Sequence, residues 1–184
     1  MNMTETLTQP PHQLLPTPEK QENFADFLDS FPNPAAKFFF GLLKPSLLQK
    51  GESTPCLIPP IEVLRAMPSG SLGSAYAEFL RDHHLSPIAY GPRRAQIHDV
   101  LHVLLGYGTD YAGEAAVQWF VMGCKPTLFN WIVGGYLQLQ TRQWHLVKTA
   151  FQRGRQSPMD PDTFPVEELW EVPVDKIRER YHLI

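Results

Sequence analysis

The sequence contains little cysteine and no excess of basic charge. Cys56 and Cys124 are its only two cysteines, and they form neither a C-x-x-C pair nor the dense pattern of a secreted disulfide framework. A reducing compartment is therefore expected. The formal net charge is -3 and the sequence pI is about 6.1, whereas a nucleic-acid-binding domain commonly has a pI above about 9 and a clustered basic face. We expect no nucleic-acid partner.

Membrane-spanning and targeting patterns are also missing. No uninterrupted apolar run approaches the ~18 residues of a spanning helix. The first residues lack the basic-then-apolar order of a signal peptide, and they do not resemble a mitochondrial transit peptide because Glu5 and Glu19 precede the first lysine, Lys20. We expect a cytoplasmic protein, with peripheral contact to the inner face of a membrane left open.

Signals for β-structure are absent as well. Strict apolar/polar alternation is never sustained, and no Asn-Gly or Asp-Gly hairpin signal occurs. A length of 184 residues with 43% hydrophobic residues suits one buried core. Residues 1–22 are polar and proline-punctuated, which predicts a disordered tail. The sequence therefore predicts a single all-α domain over residues 23–184.

Helix start and stop signals divide that domain. We expect helices in the following segments: 23–31, 34–44, 61–67, 74–85, one from about Pro92 to Leu105, a long segment from Asp110 that is interrupted at Gly123 and Pro126 and continues through 127–154, and two short helices on either side of Pro173.

The segment IHDVLHVLLGYGTDYAGE, residues 97–114, carries the most distinctive polar residues. On a helix, His98, Asp99 and His102 fall within one arc of about 100°. Apart from His102, all positions from Val100 to Leu105 are apolar. A helix that is apolar on its remaining faces is normally buried. The pattern predicts a polar patch inside, or at the lip of, an apolar environment.

Glu114 follows a glycine-containing turn, with Thr109 or Asp110 available as the N-cap of the next helix. In an antiparallel helix pair centred near residue 108, Glu114 lies level with His102. Two imidazoles and two carboxylates suit a divalent metal, with zinc, iron(II), manganese and magnesium all open. The alternative is an ordinary buried pair, a core histidine and a first-turn glutamate. The cost of burying several ionisable groups together favours a site.

Aromatic and basic residues suggest lipid contact. Phe38, Phe39 and Phe40 in succession cannot all face one side of a helix, and Lys37, Lys44 and Lys50 flank them, as in an interfacial helix. Apolar segments 38–43, 119–122 and 129–136 offer material for a lipid groove, although ordinary core accounts for most such residues. Candidates for binding an anionic head group are Arg93, Arg94, Arg153 and Arg155, with solvated surface arginines as the alternative.

His98, Asp99, His102 and, after eleven residues, Glu114 match the HDxxH-x11-E signature of the coenzyme Q (ubiquinone) biosynthesis protein four family. The resemblance extends from about Asn33 to the C-terminus and includes the LLG after the second histidine, the RG of residues 152–155 and the closing FPVEELWEVPVDKIRERYHLI. The proline-rich extension replaces the transit peptide of mitochondrial members, which suggests a bacterial-type member.

This resemblance implies an all-helical fold in which His98, Asp99, His102 and Glu114 bind a divalent metal, usually assigned as zinc, and serve catalysis. The implied reaction is oxidative decarboxylation at C1 of a polyprenyl hydroxybenzoate intermediate. The implied partners are a prenylated quinone precursor or isoprenoid lipid, other quinone-synthesis enzymes and a membrane surface.

Three alternatives stay open at this point. The chain can be a non-catalytic prenyl-lipid-binding scaffold with the metal as a structural clip, and its large apolar helices are compatible with a homodimer. An HD-type phosphohydrolase requires His83 or His84 together with Asp160 or Asp162. That third hypothesis leaves His102 and Glu114 without a role.

Overall fold

The computed structural model describes residues 55–88 and 93–184. The expectations for the tail 1–22, for the helices before residue 55 and for the Phe38–Phe40 segment with its lysines lie outside the described residues. The described ranges contain eight α-helices and a 3-10 turn, in the following order: α1 Ile61–Arg65, α2 Leu72–Asp82, α3 Arg93–Gln96, α4 His98–Leu105, α5 Tyr111–Cys124, α6 Leu128–Thr141, α7 Trp144–Gln156, the 3-10 turn Val166–Glu168 and α8 Val174–Tyr181.

The all-α prediction is confirmed for the described ranges. They contain no β-strand, and an isolated bridge between Ser71 and Pro173 is the extent of their β-pairing. None of the helices in these ranges combines the length and the apolar character needed to cross a membrane.

Polar caps set the start of three helices. Ser71 accepts a hydrogen bond from the backbone N–H of Ser74 at the start of α2. Asp110, one of the two predicted caps, accepts from Gly113 N–H at 2.8 Å at the start of α5. Thr127 accepts from Asn130 N–H at the start of α6. Each side chain satisfies an N–H that the helix itself leaves without a partner.

The segment predicted as continuous after residue 127 is two helices. Arg142 adopts a left-handed conformation with φ 54°, and its N–H bonds to Gln138 O at 3.0 Å, which ends α6. α7 begins two residues later at Trp144. Neither glycine nor proline marks this break, so the sequence pattern gave no signal for it.

α5 is the central helix, since it packs against both α6 and α7. Two glycines permit the backbones of α5 and α7 to touch. A Cβ added to Gly154 of α7 would lie 2.0 Å from the carbonyl oxygen of Phe120, and one added to Gly123 of α5 would lie 2.3 Å from the carbonyl oxygen of Phe151. This contact fixes the position of α5, the helix that carries Glu114.

The C-terminal residues close over α2 and α4. Gly73 N–H donates to Trp170 O at 2.8 Å, and Trp170 itself is buried in the main core with Tyr76 and Ile177. From α8, the guanidinium of Arg178 donates to the backbone oxygen of Leu104 at 2.9 Å and to that of Val103 at 3.1 Å. Arg178 thereby satisfies carbonyls at the end of α4 that have no helical partner.

Candidate metal centre

Three of the four motif side chains meet in the interior. His98 and His102 lie one turn apart on α4, with their Nε2 atoms 3.2 Å apart. Glu114, in the first turn of α5, places Oε2 3.1 Å from His98 Nε2 and Oε1 3.4 Å from His102 Nε2. Ligand atoms of all three residues lie within 4.8 Å of one another. The residues are only 4%, 1% and 2% exposed, respectively.

The turn after α4 fixes the orientation of the His102 ring. Gly106 ends α4 in the left-handed region with φ 72°, a conformation that costs glycine little. The carbonyl oxygen of Tyr107 then lies 3.1 Å from His102 Nδ1. Because a carbonyl only accepts hydrogen bonds, Nδ1 carries the proton and a neutral His102 presents a lone pair at Nε2. Metal-binding histidines commonly have such an outer partner.

The electrostatics of the three residues fit a cation. Burial alone would raise the pKa of Glu114, but the neighbouring charges and hydrogen bonds of His102 and His98 outweigh that effect and lower it to about 2. The carboxylate is therefore anionic, and two imidazole nitrogens face it in a site with almost no water access. Burial lowers the pKa of His102, but the charge of Glu114 outweighs that effect and raises it. The positive partner of the buried carboxylate is therefore a protonated imidazole, or a cation that takes the place of that proton. Two nitrogens and one carboxylate form a ligand set typical of divalent metals with a further coordination position left open.

Asp99 stands apart from these three residues. It is not among the residues whose ligand atoms converge. Its side chain is nevertheless buried, with 4% exposed, and this burial raises the pKa of its carboxyl group. Among the described residues its Oδ2 atom has no hydrogen-bond partner. The hydroxyl of Tyr76 also has none, and the pKa of Tyr76 is raised by burial and then by the charge of Asp99. The structure thus gathers three predicted ligands and leaves Asp99 as a buried carboxyl beside them.

A cavity of about 580 Å³ reaches His102 from the surface. Phe79 lies in its wall between two histidine rings, with its ring centroid 4.6 Å from that of His83 and 5.8 Å from that of His102. His83 Nδ1 lies 3.2 Å from the Thr109 hydroxyl. The cavity lining includes the charged residues Glu78, Asp82, Asp175 and Arg178. Among the described residues, this cavity connects the surface to His102.

Of the arginines predicted to bind an anionic head group, two make structural contacts instead. Arg93 bonds to Glu167 and to the carbonyl oxygen of Phe164 at 2.8 Å. Arg94 donates to Asp162 at 2.8 Å and to the side-chain oxygen of Asn130 at 2.9 Å. These bonds tie α3 to the loop before the 3-10 turn and to α6. Arg153 lies 3.4 Å from the Tyr107 hydroxyl, and Arg155 is exposed.

The aspartates required by the phosphohydrolase hypothesis have other contacts. Asp160 and Asp162 both pair with Lys125, at 3.0 Å and 2.9 Å. Neither belongs to the group of converging ligand atoms, whereas His102 and Glu114 do. The geometry therefore favours a site built on His98, His102 and Glu114 of the HDxxH-x11-E motif.

Comparison with known proteins agrees with the motif. The profile of the family described as coenzyme Q (ubiquinone) biosynthesis protein Coq4 matches residues 58–184, a range that includes His98, His102 and Glu114. The chain belongs to the Coq4 family. The resemblance drawn from the sequence is thereby confirmed, while a bacterial-type origin and a cytoplasmic location stay predictions.

Relatives in the Coq4 family include mitochondrial ubiquinone biosynthesis protein COQ4 homologs. The mouse protein is 31% identical over 137 residues, which cover 63% of this chain and 51% of the mouse protein. The Xenopus tropicalis protein is 31% identical over 143 residues, covering 67% of this chain and 51% of that protein. The chain spans about half the length of these curated relatives.

A solved structure shares the fold. The crystal structure of a candidate ubiquinone biosynthesis protein from Nostoc punctiforme superposes with a TM-score of 0.59 and 19% sequence identity, and the match covers 81% of each chain. At this identity the likeness shows the helical fold alone.

Proposed function

We propose that this chain is a metal-dependent protein of prenylated quinone biosynthesis that catalyses oxidative decarboxylation at C1 of a polyprenyl hydroxybenzoate intermediate. The observation that carries the proposal is the buried convergence of His98, His102 and Glu114. Membership of a ubiquinone biosynthesis family supports the pathway. The resemblance noted in the sequence supplies the reaction.

His98, His102 and Glu114 are the proposed ligands of a divalent metal, with zinc first and iron, manganese or magnesium also compatible. When bound, such a metal supplies Lewis-acid stabilisation of a phenolate or carboxylate oxygen. The carboxylate of Glu114 offsets the positive charge, and the Tyr107 carbonyl holds His102 in the metal-binding tautomer. Asp99, predicted as the fourth ligand, lies beside these three residues, and its Oδ2 atom, which has no partner among the described residues, can accept a hydrogen bond there.

The net reaction replaces the C1 carboxyl group of the ring by a hydroxyl group. The bond from C1 to the carboxyl carbon breaks and carbon dioxide leaves. Dioxygen supplies the oxygen atom that C1 gains, and a two-electron donor with two protons reduces the second oxygen atom to water. The protein's share is to hold the ring beside the centre and to keep bulk water away from it.

The alternative is a non-catalytic scaffold that binds prenyl lipids, organises other quinone-synthesis enzymes and uses the metal as a structural clip. One observation favours it: His102 and Glu114 are only 1% and 2% exposed, and structural metal sites are typically closed. A homodimer and partner enzymes are compatible with either function.

Metal content and quinone synthesis measured on the same variants distinguish the two functions. We expect the purified protein to contain about one metal per chain, and Glu114→Gln and the His98→Ala, His102→Ala pair to lose it. His145→Ala, in an exposed position on α7, is the matched control and should retain the metal. Chelation should lower the melting temperature, since a ligand present at 100 times its Kd contributes about 2.7 kcal/mol.

Each variant is then expressed in a bacterium that lacks its own C1 decarboxylation activity. Wild type and His145→Ala should restore quinone synthesis, while Glu114→Gln should leave the carboxylated precursor to accumulate. Normal quinone production by a folded, metal-free Glu114→Gln would refute catalysis and favour the scaffold.

A further inference from the structure

α6 exposes an apolar surface. Eight large hydrophobic side chains in the described residues are exposed, and six of them belong to α6 and the first residue of α7. These six are Leu128 at 74%, Trp131 at 57%, Ile132 at 50%, Tyr136 at 39%, Leu139 at 67% and Trp144 at 63%. Within α6 their spacing of three or four residues places them on one side of the helix. We call this set the α6 outer face.

The opposite side of α6 is already packed. Val133 and Leu137 are fully buried, and a Cβ added to Gly134 would lie 3.1 Å from Trp119 on α5. α6 is therefore apolar on both sides, a pattern normally seen in a helix that is covered all round. Exposed apolar area of this kind marks an interaction surface.

The stretch of chain that carries the α6 outer face has charge of one sign. No aspartate or glutamate occurs from residue 115 to residue 159, although the whole chain has a net charge of -3. Five basic residues occur in this span: Lys125, Arg142, Lys148, Arg153 and Arg155. Lys125 pairs with Asp160 and Asp162. Arg142, Lys148 and Arg155 are exposed; Arg142 lies at the end of α6, and the other two lie on α7, the helix that supplies Trp144 to the face.

We propose that the α6 outer face binds the surface of an anionic lipid bilayer, with α6 lying in the plane of the interface. Tryptophan and tyrosine favour the boundary between head groups and acyl chains. Lysine and arginine beside such a helix are attracted to anionic lipids. A second copy of the chain fits less well, because a symmetric contact through this face would bring two like-charged borders together.

This surface deepens the proposed function, because the intermediates proposed there carry a membrane-soluble prenyl chain. Its test is independent of the metal centre. Glu114→Gln should bind vesicles as well as wild type does, so a failure of the catalytic proposal and a failure of the membrane proposal give different results.

Vesicle co-sedimentation tests the apolar contribution. Wild type should bind vesicles of equimolar phosphatidylcholine and phosphatidylglycerol, and the double variant Trp131→Ser, Leu139→Ser should bind about tenfold more weakly or worse. The matched control is Val63→Ser, Ile184→Ser, which removes two exposed large hydrophobic side chains that the described residues carry outside the face and should bind like wild type. Equal binding by both double variants would overturn the proposal.

Charge variants test the lipid preference. Arg142→Gln, Lys148→Gln should weaken binding to the anionic vesicles by about fivefold per charge removed, and added salt should reduce this difference. The matched control Arg65→Gln, Lys176→Gln alters exposed basic residues elsewhere and should have no effect. Equal binding of wild type to pure phosphatidylcholine vesicles would refute the anionic preference.

Two further measurements keep the result interpretable. Trp131→Phe, Trp144→Phe should keep vesicle binding but lose the quenching of tryptophan fluorescence by brominated acyl chains; unchanged quenching would place the contact elsewhere and overturn the proposal. Light scattering tests whether a second copy of the chain, and not a bilayer, covers the face. If wild type is a dimer that ignores vesicles and Trp131→Ser, Leu139→Ser is a monomer, the face is a homodimer interface and the membrane proposal is wrong.

Discussion

Replacing Gly154 by alanine should force α5 and α7 apart. The new Cβ would lie 2.0 Å from Phe120 O, 2.9 Å from the carbonyl carbon of Phe120 and 3.1 Å from Cys124 N. These are backbone atoms, so no side chain can rotate out of the way. One helix must move by about 1.4 Å to reach the 3.4 Å of ordinary van der Waals contact.

Such overpacking typically costs about 1–3 kcal/mol, while alanine gains up to about 1 kcal/mol over glycine in a helix. Because the obstruction is backbone, we expect the upper part of this range and a net loss of about 2 kcal/mol in the free energy of unfolding. For a chain of this size the melting temperature should fall by about 4–8 °C.

Gly135→Ala is the matched control. Gly135 also lies inside a helix, but a Cβ there meets nothing within 4 Å. This variant should be about 0.5–1 kcal/mol more stable than wild type, because only the propensity term remains. Urea unfolding followed by far-UV circular dichroism measures both variants. If Gly154→Ala is as stable as Gly135→Ala, the close backbone contact between α5 and α7 does not exist.

Two further predictions concern acid stability and thiol reactivity. The hydrogen bonds from Lys125 and Arg94 lower the pKa of Asp162 despite its partial burial. Wild type should therefore exceed Asp162→Asn in stability by up to about 1 kcal/mol at pH 7, and the difference should vanish as the pH falls below the ordinary aspartate pKa of 3.8; a constant difference in urea midpoints across that range would contradict the ion pairs. A thiol reagent at pH 8 should modify exposed Cys56 rapidly and Cys124 only slowly, since burial raises the Cys124 pKa to about 12, and a rapid reaction in Cys56→Ser would contradict that burial.

Local signals were sufficient for much of the candidate metal centre. His98 and His102 are separated by one helical turn, so their convergence follows from helix geometry alone. Glu114 was predicted from the glycine turn and a helix cap, and Asp110 is that cap. Asp99 lies at the edge of the arc, where packing of α4 against its neighbours decides whether a side chain points toward the metal ligands or beside them.

Other parts of the centre depend on contacts that periodicity does not encode. The Tyr107 group that orients His102 is a backbone carbonyl, so no side-chain pattern could reveal it. In the sequence, Gly154 belongs to a segment that resembles the family, but nothing there indicates its structural role. That role is the close contact with the backbone of Phe120, which only the packed helices show. The end of α6 at Arg142 could not be predicted, since its left-handed conformation occurs without glycine.

The bonds from Arg178 to the end of α4 also constrain when the candidate metal centre can form. Arg178 lies 74 residues after Leu104, whose carbonyl oxygen it satisfies. During synthesis the ribosome therefore adds both histidines and Glu114 before Arg178, the residue that bonds to the end of α4. Contacts so distant in sequence form late and slow the folding of a domain. Arg178 follows Glu114 by 64 residues, so the nascent chain carries both histidines and Glu114 over about the last third of its synthesis before the contact that completes the end of α4 can form.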